Sequence, residues 1–303
     1  MTRRSFLETT GGLAATAGWA PAPRTEANDM LPIHEAVEYN MLPESATIPE
    51  RFQMARDAGF ERIECPTTPD QKVAEEMKNA AEKAGIKIHS VMNMAHWKYP
   101  LSSPDPAVVE RSLEGARTSL HNAHFWGADT VLIVPAVVDA HTTYHDAYTR
   151  SQAAIRKLIP LAEELKVIIA IEEVWNKFLL SPIEFANYID QFGTPWVRAY
   201  FDVGNVVIYG YPQDWILTLG KRIVKLHIKD FYFHRNTKPM TAEFVPLLEG
   251  DIDWKAVYNA LKQIDFRGTA TTELPPGNED YLKEVHRRLT LILRGQGNSM
   301  AHS

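Results

Sequence analysis

Four polar residues end runs that otherwise suit the interior of a sheet. Ile168-Ile169-Ala170-Ile171 runs into Glu172, Ala199-Tyr200-Phe201 into Asp202, Val224-Lys225-Leu226 into His227, and the β-prone Thr269-Ala270-Thr271-Thr272 into Glu273. A carboxylate at the end of an apolar strand is costly to bury unless positive charge compensates it, and one divalent cation compensates several at once. Three carboxylates and an imidazole form a hard, oxygen-rich set. It suits manganese, magnesium or cobalt, with zinc as a further candidate. Taken singly, His227 reads as a hydrogen-bonded core histidine and Asp202 as a helix cap. Taken together on successive strands, the four read as ligands of one divalent ion.

Such strand ends must be held side by side, and the rest of the chain supplies the pattern. From residue 32 onward, short β-rich runs alternate with helical ones, the signature of a parallel sheet covered by helices. The expected strands are residues 33–40, 62–66, 87–92, 130–135, 167–174, 197–203, 223–228 and 268–274. Thr47-Ile48-Pro49-Glu50, Ser103-Pro104-Asp105-Pro106 and Ser181-Pro182-Ile183-Glu184 carry helix-start grammar, and Gly59, Gly85 and Gly127 stand where helices should stop. Eight strand-helix units over about 270 residues fit a single (β/α)8 barrel at residues 29–303. A doubly wound sheet is the competing fold, but no Gly-x-Gly-x-x-Gly follows the first strand. In a (β/α)8 barrel the active site lies at the C-terminal strand ends, where the four residues stand.

Composition narrows the partners. The 303 residues are 45% apolar and 23% charged, with a net charge of −6 and no basic run, so nothing gathers nucleic acid. The single cysteine, Cys65, cannot form an internal disulfide and is expected to pack beside a strand end. Thr2-Arg3-Arg4-Ser5-Phe6-Leu7, followed by a mildly apolar Gly/Ala/Thr stretch and Ala20-Pro21-Ala22, reads as a Tat-type export signal and linker over residues 1–28. That implies an extracytoplasmic, periplasmic location. No stretch of about 18 apolar residues occurs, so no membrane span is expected.

Phe201-Asp202-Val203-Gly204-Asn205, His227-Ile228-Lys229-Asp230, Glu249-Gly250-Asp251-Ile252-Asp253-Trp254 and Thr272-Glu273 follow one another in a known order. By these motifs the chain resembles the xylose-isomerase-like barrel superfamily over residues 33–295, and within it the branch of ketose and ketose-phosphate 3-epimerases. The resemblance places Glu172, Asp202, His227 and Glu273 on the family's metal ligands, with Glu172 and Glu273 also on its two acid-base residues. It implies a carbohydrate substrate, an enediolate stabilised by the metal, and association into homo-oligomers. Two carboxylates on opposite faces of the sugar would invert a carbon, whereas one carboxylate serving both carbons would interconvert aldose and ketose.

Other residues near the expected mouth are candidates for substrate contact. Asn205 stands where many ketose epimerases of the superfamily carry a His, a form that looks like the phosphate-substrate branch. Lys229 lies two residues after His227 on the same strand face. His89 is expected to touch substrate, with His96, His141 and His145 behind it, and Trp97, Trp175, Tyr209 and Tyr211 are candidate stacking surfaces. Because exported proteins rarely meet phosphorylated sugars, a free or oxidised sugar or a glycoside is expected. The alternatives are a lyase that cleaves oxidised glycosides by elimination on the same metal, and a non-catalytic sugar-binding barrel, which should lack one of the two glutamates. An abasic-site endonuclease needs a larger ligand set and a basic groove, and neither is visible.

Overall fold

Eight parallel strands close into a barrel: β1 (His34–Glu38), β2 (Arg62–Pro66), β3 (Lys87–Met92), β4 (Thr130–Ile133), β5 (Ile168–Glu172), β6 (Val197–Asp202), β7 (Ile223–Ile228) and, after the separate strands β8 (Asp230–His234) and β9 (Thr241–Val245), β10 (Thr269–Thr272). Round the ring their order is β1-β10-β7-β6-β5-β4-β3-β2. The computed structural model describes residues 31–234 and 241–298. The export signal expected at residues 1–28 lies outside them. Each barrel strand coincides with an expected one, and the expectations overrun chiefly at the C-terminal ends. There the chain turns away: Tyr39 and Asn40, expected in the first strand, already belong to a 3-10 turn at Tyr39–Met41.

The helices form where local chemistry satisfies their free ends. The Thr47 hydroxyl accepts from the Glu50 backbone while the Glu50 carboxylate takes the Thr47 N–H, a reciprocal cap on α1 (Ile48–Asp57). Asp70, Asp105 and Ser181 cap α2 (Gln71–Ala84), α3 (Pro106–Trp126) and α6 (Pro182–Asp190) by accepting first-turn N–H groups, without the return bond. Gly85 and Gly127 close α2 and α3 in the left-handed region at φ 65° and 71°, as their positions predict. Between β4 and β5 one expected helix is two, α4 (Tyr144–Arg156) and α5 (Ile159–Leu165), because Pro160 has no N–H with which to continue the first. The remaining helices are α7 (Pro212–Leu219), α8 (Trp254–Gln263) and α9 (Glu279–Leu293).

Most of the apolar core lies between strands and helices, where side chains such as Phe52, Ile63, Cys65, Leu120, Ile169, Phe201 and Trp254 are fully or almost fully buried. Cys65 thus packs as its strand position predicts. Inside the barrel the apolar plug is small: Leu132, Val134, Ala170, Val174 and Tyr200. The rest of the interior is polar. Tyr200 reaches Thr271, 3.1 Å away, and Thr271 in turn meets His89 Nε2 at 3.1 Å, all three being buried.

One element is not foreseen from the sequence. Directly after β7, strands β8 (Asp230–His234) and β9 (Thr241–Val245) pair antiparallel as a separate hairpin beside the barrel mouth. The intervening Arg235-Asn236-Thr237-Lys238-Pro239-Met240 carries none of the Asn-Gly or Asp-Gly pairs that announce a tight turn. Its root is a single buried carboxylate. Asp230 accepts from the N–H groups of Phe231, Leu248 and Gly250 and from the Trp254 indole, at 2.8–3.2 Å. Gly250 carries no side chain because a Cβ there would collide with that carboxylate.

Candidate metal centre

Strand alternation aims the four residues inward. Ala170 and Glu172, Tyr200 and Asp202, Lys225 and His227, and Thr271 and Glu273 each share the interior face, two residues apart. Register then brings them level: Asp202 pairs with His227, and His227 with Thr271, one step before Glu273 leaves its strand. One atom from each of Glu172, Asp202, His227 and Glu273 falls within 4.8 Å of the others.

His227 Nδ1 lies 2.8 Å from Glu172 Oε1, 2.9 Å from Glu273 Oε2 and 4.0 Å from Asp202 Oδ2. One ring nitrogen with at most one proton cannot satisfy three carboxylates. Its opposite nitrogen is held: Nε2 is 2.9 Å from Glu64 Oε1, and the Ser90 hydroxyl donates to the other Glu64 oxygen at 2.5 Å. A carboxylate on Nε2–H leaves Nδ1 to offer its lone pair, the usual arrangement behind a metal-bound histidine. Asp202 is oriented by its own turn. Its Oδ1 accepts the N–H groups of Gly204 and Asn205 at 2.8 and 2.9 Å, so Oδ2 faces the cluster.

The chemistry of this donor set fits a divalent cation. Asp202 Oδ2 and Glu273 Oε2 are buried and face the Lys229 ammonium at 2.8 and 2.7 Å, so a cation is already drawn among the carboxylates. Burial pushes Glu172 up to about 7 against the pull of His227. Burial, with Glu273 and Glu64 nearby, raises Glu38 to about 8. Glu273 responds oppositely: burial would raise it, but Lys229 and His227 hold it well below the usual carboxylate range. Burial resists the imidazolium of His227, yet Glu273, Glu64 and Glu172 outweigh it and lift that group well above its ordinary value. Side-chain exposure grades from none at Asp202 and His227 through 5% at Glu172 to 28% at Glu273, which therefore marks the side open to solvent.

The substrate-contact candidates fare unevenly. Lys229 stands at the centre, its ammonium on Asp202 and Glu273 and 5.2 Å from the Phe244 ring. Its stem explains Gly204: a Cβ there would run into Lys229 Cγ. His89, expected at the mouth, is corrected to a barrel-interior residue, fully buried among Thr271 and Ser90. The cause is a register shift between β2 and β3, where Ile63 faces Ile88 but Glu64 faces Ser90, leaving His89 as the extra residue. Asn205 is held in place by its amide nitrogen, which donates to the Glu173 carbonyl at 3.0 Å.

Of the secondary candidates, His96 is buried, accepts the Val134 N–H at 3.2 Å and is pushed by burial down to about 4, hence neutral. His141 and His145 are exposed on the loop and helix after β4. Trp175 donates to the Asn205 carbonyl and stacks on Phe244 of the hairpin, at 5.0 Å and 19°. Sequence reasoning missed Glu38, Glu64 and Glu173. The first two end or interrupt β1 and β2 as the four ligand candidates do theirs, so the same rule could have found them. Glu173 Oε1 accepts the Asp202 N–H at 2.9 Å, and its burial, with Asp202 and Glu172 close by, raises it well above the usual range.

A sequence profile of the xylose isomerase-like TIM barrel family matches residues 52–290. The chain is 27% identical over 260 residues to a putative L-ribulose-5-phosphate 3-epimerase, SgbU, of Escherichia coli K12, spanning 82% of this chain and 89% of that one. Its fold is similar to the crystal structure of a D-tagatose 3-epimerase-like protein (TM-score 0.73, 15% identity, 86% of this chain and 97% of that one). It is likewise similar to that of a xylose isomerase-like TIM barrel protein from Mycobacterium smegmatis in complex with magnesium (TM-score 0.68, 16% identity, 88% and 98%).

Proposed function

We propose that this chain, which belongs to the xylose isomerase-like TIM barrel family, is a divalent-metal-dependent sugar epimerase or isomerase. The observation that carries the reading is the convergence of three carboxylates and one imidazole on a single point. Glu172, Asp202, His227 and Glu273 would hold the ion. When bound it would supply positive charge to the carbonyl and neighbouring hydroxyl oxygens of a sugar. Glu172 and Glu273 flank His227 and exchange the proton on the carbon beside the carbonyl, through an enediolate. Lys229, beside both Asp202 and Glu273, donates to an oxygen of the substrate, and Glu64 keeps the imidazole in the required tautomer.

The epimerases to which the chain is similar support this reading, and no observation favours the elimination alternative. Among the described residues no helix is long and apolar enough to cross a membrane. Export through the Tat pathway is proposed from Arg3-Arg4 and the segment after it.

Metal content of the purified protein, beside Glu172→Gln and Glu273→Gln, followed by incorporation of solvent deuterium into a panel of ketoses, tests the proposal. Bound divalent metal and deuterium exchange that vanishes in both variants are expected. A wild-type protein that takes up no divalent ion would refute it.

A further inference from the structure

A second cluster of charge lies at the opposite end of the barrel, where the strands begin. A cavity of about 400 Å3 opens there, lined by the first residues of several strands and by the turns before β7 and β10. Its charged walls are the cations Arg62, Lys221, Lys225 and Arg267 and the carboxylates Asp129 and Asp265. Two of the cations are matched: Lys225, buried, is 2.8 Å from Asp129, and Arg267 is 3.0 Å from Asp265. Glu61, the other carboxylate that acts on Arg62, is engaged by His34 at 2.7 Å.

Arg62 and Lys221 form no close ion pair among the described residues, although Asp129 and Glu61 act on Arg62, and Lys221 on Asp265, from further away. The lining therefore carries two more positive than negative charges, in a protein whose net charge is −6. Arg62 is half-buried, and its one hydrogen bond goes to the Thr269 hydroxyl at 3.0 Å. A guanidinium has five N–H donors in a flat fork, so most of its capacity faces the cavity. Partial burial of a cation is costly: it lowers the pKa of Arg62 despite the pull of Asp129 and Glu61, and a bound anion would relieve it. Cations that served only to close the bottom of the barrel would be expected to balance against carboxylates, and these do not.

We propose that this cavity binds a small oxyanion with two negative charges, gripped by the Arg62 fork with Lys221 beside it. Two oxygens on one phosphorus or one carbon match the spacing of the fork. The volume is within the range of small-molecule sites and admits a phosphate or a short dicarboxylate.

The test is calorimetric titration of the full chain, stripped of metal by chelation so that phosphate cannot report on an ion at the carboxylate cluster. Inorganic phosphate and succinate are titrated separately at constant ionic strength into wild type, Arg62→Gln and Lys221→Gln. One saturable site is expected in wild type, weakened about tenfold or more in Arg62→Gln and several-fold in Lys221→Gln, with divalent-metal loading unchanged in both. Tighter phosphate identifies a phosphoryl group as the ligand, and tighter succinate a dicarboxylate. Absence of saturable binding of either anion, or equal affinity in wild type and both variants, would overturn the proposal. Lys221 is exposed, so that variant keeps the comparison available even where Arg62→Gln fails to fold.

Discussion

Glu64 touches no proposed substrate and no proposed metal, yet its replacement should be felt at the metal. Gln at this position keeps the volume and an oxygen that can still accept from His227 Nε2, now 2.9 Å from Glu64 Oε1. It can also still meet the Ser90 hydroxyl, which accepts as readily as it donates. Geometry is preserved and one charge is removed. A hydrogen bond to a charged acceptor contributes about 1.5–3 kcal/mol against about 1 kcal/mol for a neutral one. The imidazole thus loses on the order of 1–2 kcal/mol of its preference for the ligating tautomer. Partners of this kind are generally worth about 10–100-fold in metal affinity. Glu64→Gln is therefore expected to weaken divalent binding by roughly tenfold, read by competition against a chelating indicator at neutral pH. Glu61→Gln is the control, because it removes the same charge from the same stretch of chain at an exposed site outside the cluster. Equal affinities for wild type and Glu64→Gln would refute the claim that this carboxylate tunes His227. Equal losses in the two variants would reduce the effect to net charge.

Other outcomes follow from the same contacts. Lys229→Gln should raise divalent affinity by about tenfold or more, since its ammonium competes for Asp202 and Glu273; weaker binding in a metal titration would contradict that. Gly204→Ala should cost about 1–3 kcal/mol in denaturant unfolding, because the new Cβ must displace the Lys229 stem and lies 3.1 Å from the Lys229 carbonyl oxygen. Asp230→Ala strands four donors, including the Trp254 indole and the Gly250 N–H, and should destabilise by at least about 3 kcal/mol, or roughly 5–10 °C in Tm. Chelation of a metal-loaded sample should lower Tm, and the drop should be smaller in Glu64→Gln by the same free energy that its affinity loses.

The barrel was legible because its strands and helices obey local rules. A strand such as Ile168–Glu172 carries its own apolar run, and the starts of α1, α3 and α6 carry their own caps. Grouping Glu172, Asp202, His227 and Glu273 needed only strand order and the two-residue period, and the structure sets those side chains together. What was hidden depended on partners distant in sequence. His89 reads as a mouth residue until the register of β2 against β3 is known. Asn205 looks free until the Glu173 carbonyl arrives to take its amide. Glu64 and Glu38 are hidden for a different reason: they lie in β2 and β1, in the half of the chain without the motifs, and Glu64 stands within its strand and not at the end. The hairpin escaped because its pairing is made across six residues without turn chemistry.

The four donors that converge on Asp230 fasten the chain where it leaves the barrel and where it comes back. The hairpin strands β8 and β9 hang from that clasp, outside the ring of strands that sets His227. The segment can therefore change length or composition while the ligands keep their places. Phe244, which lies on it, faces both Trp175 and the Lys229 ammonium. The fastening and the wall it carries are thus separate parts: the Asp230 clip anchors the chain, while Phe244 shapes the mouth without belonging to the ring that holds the ligands.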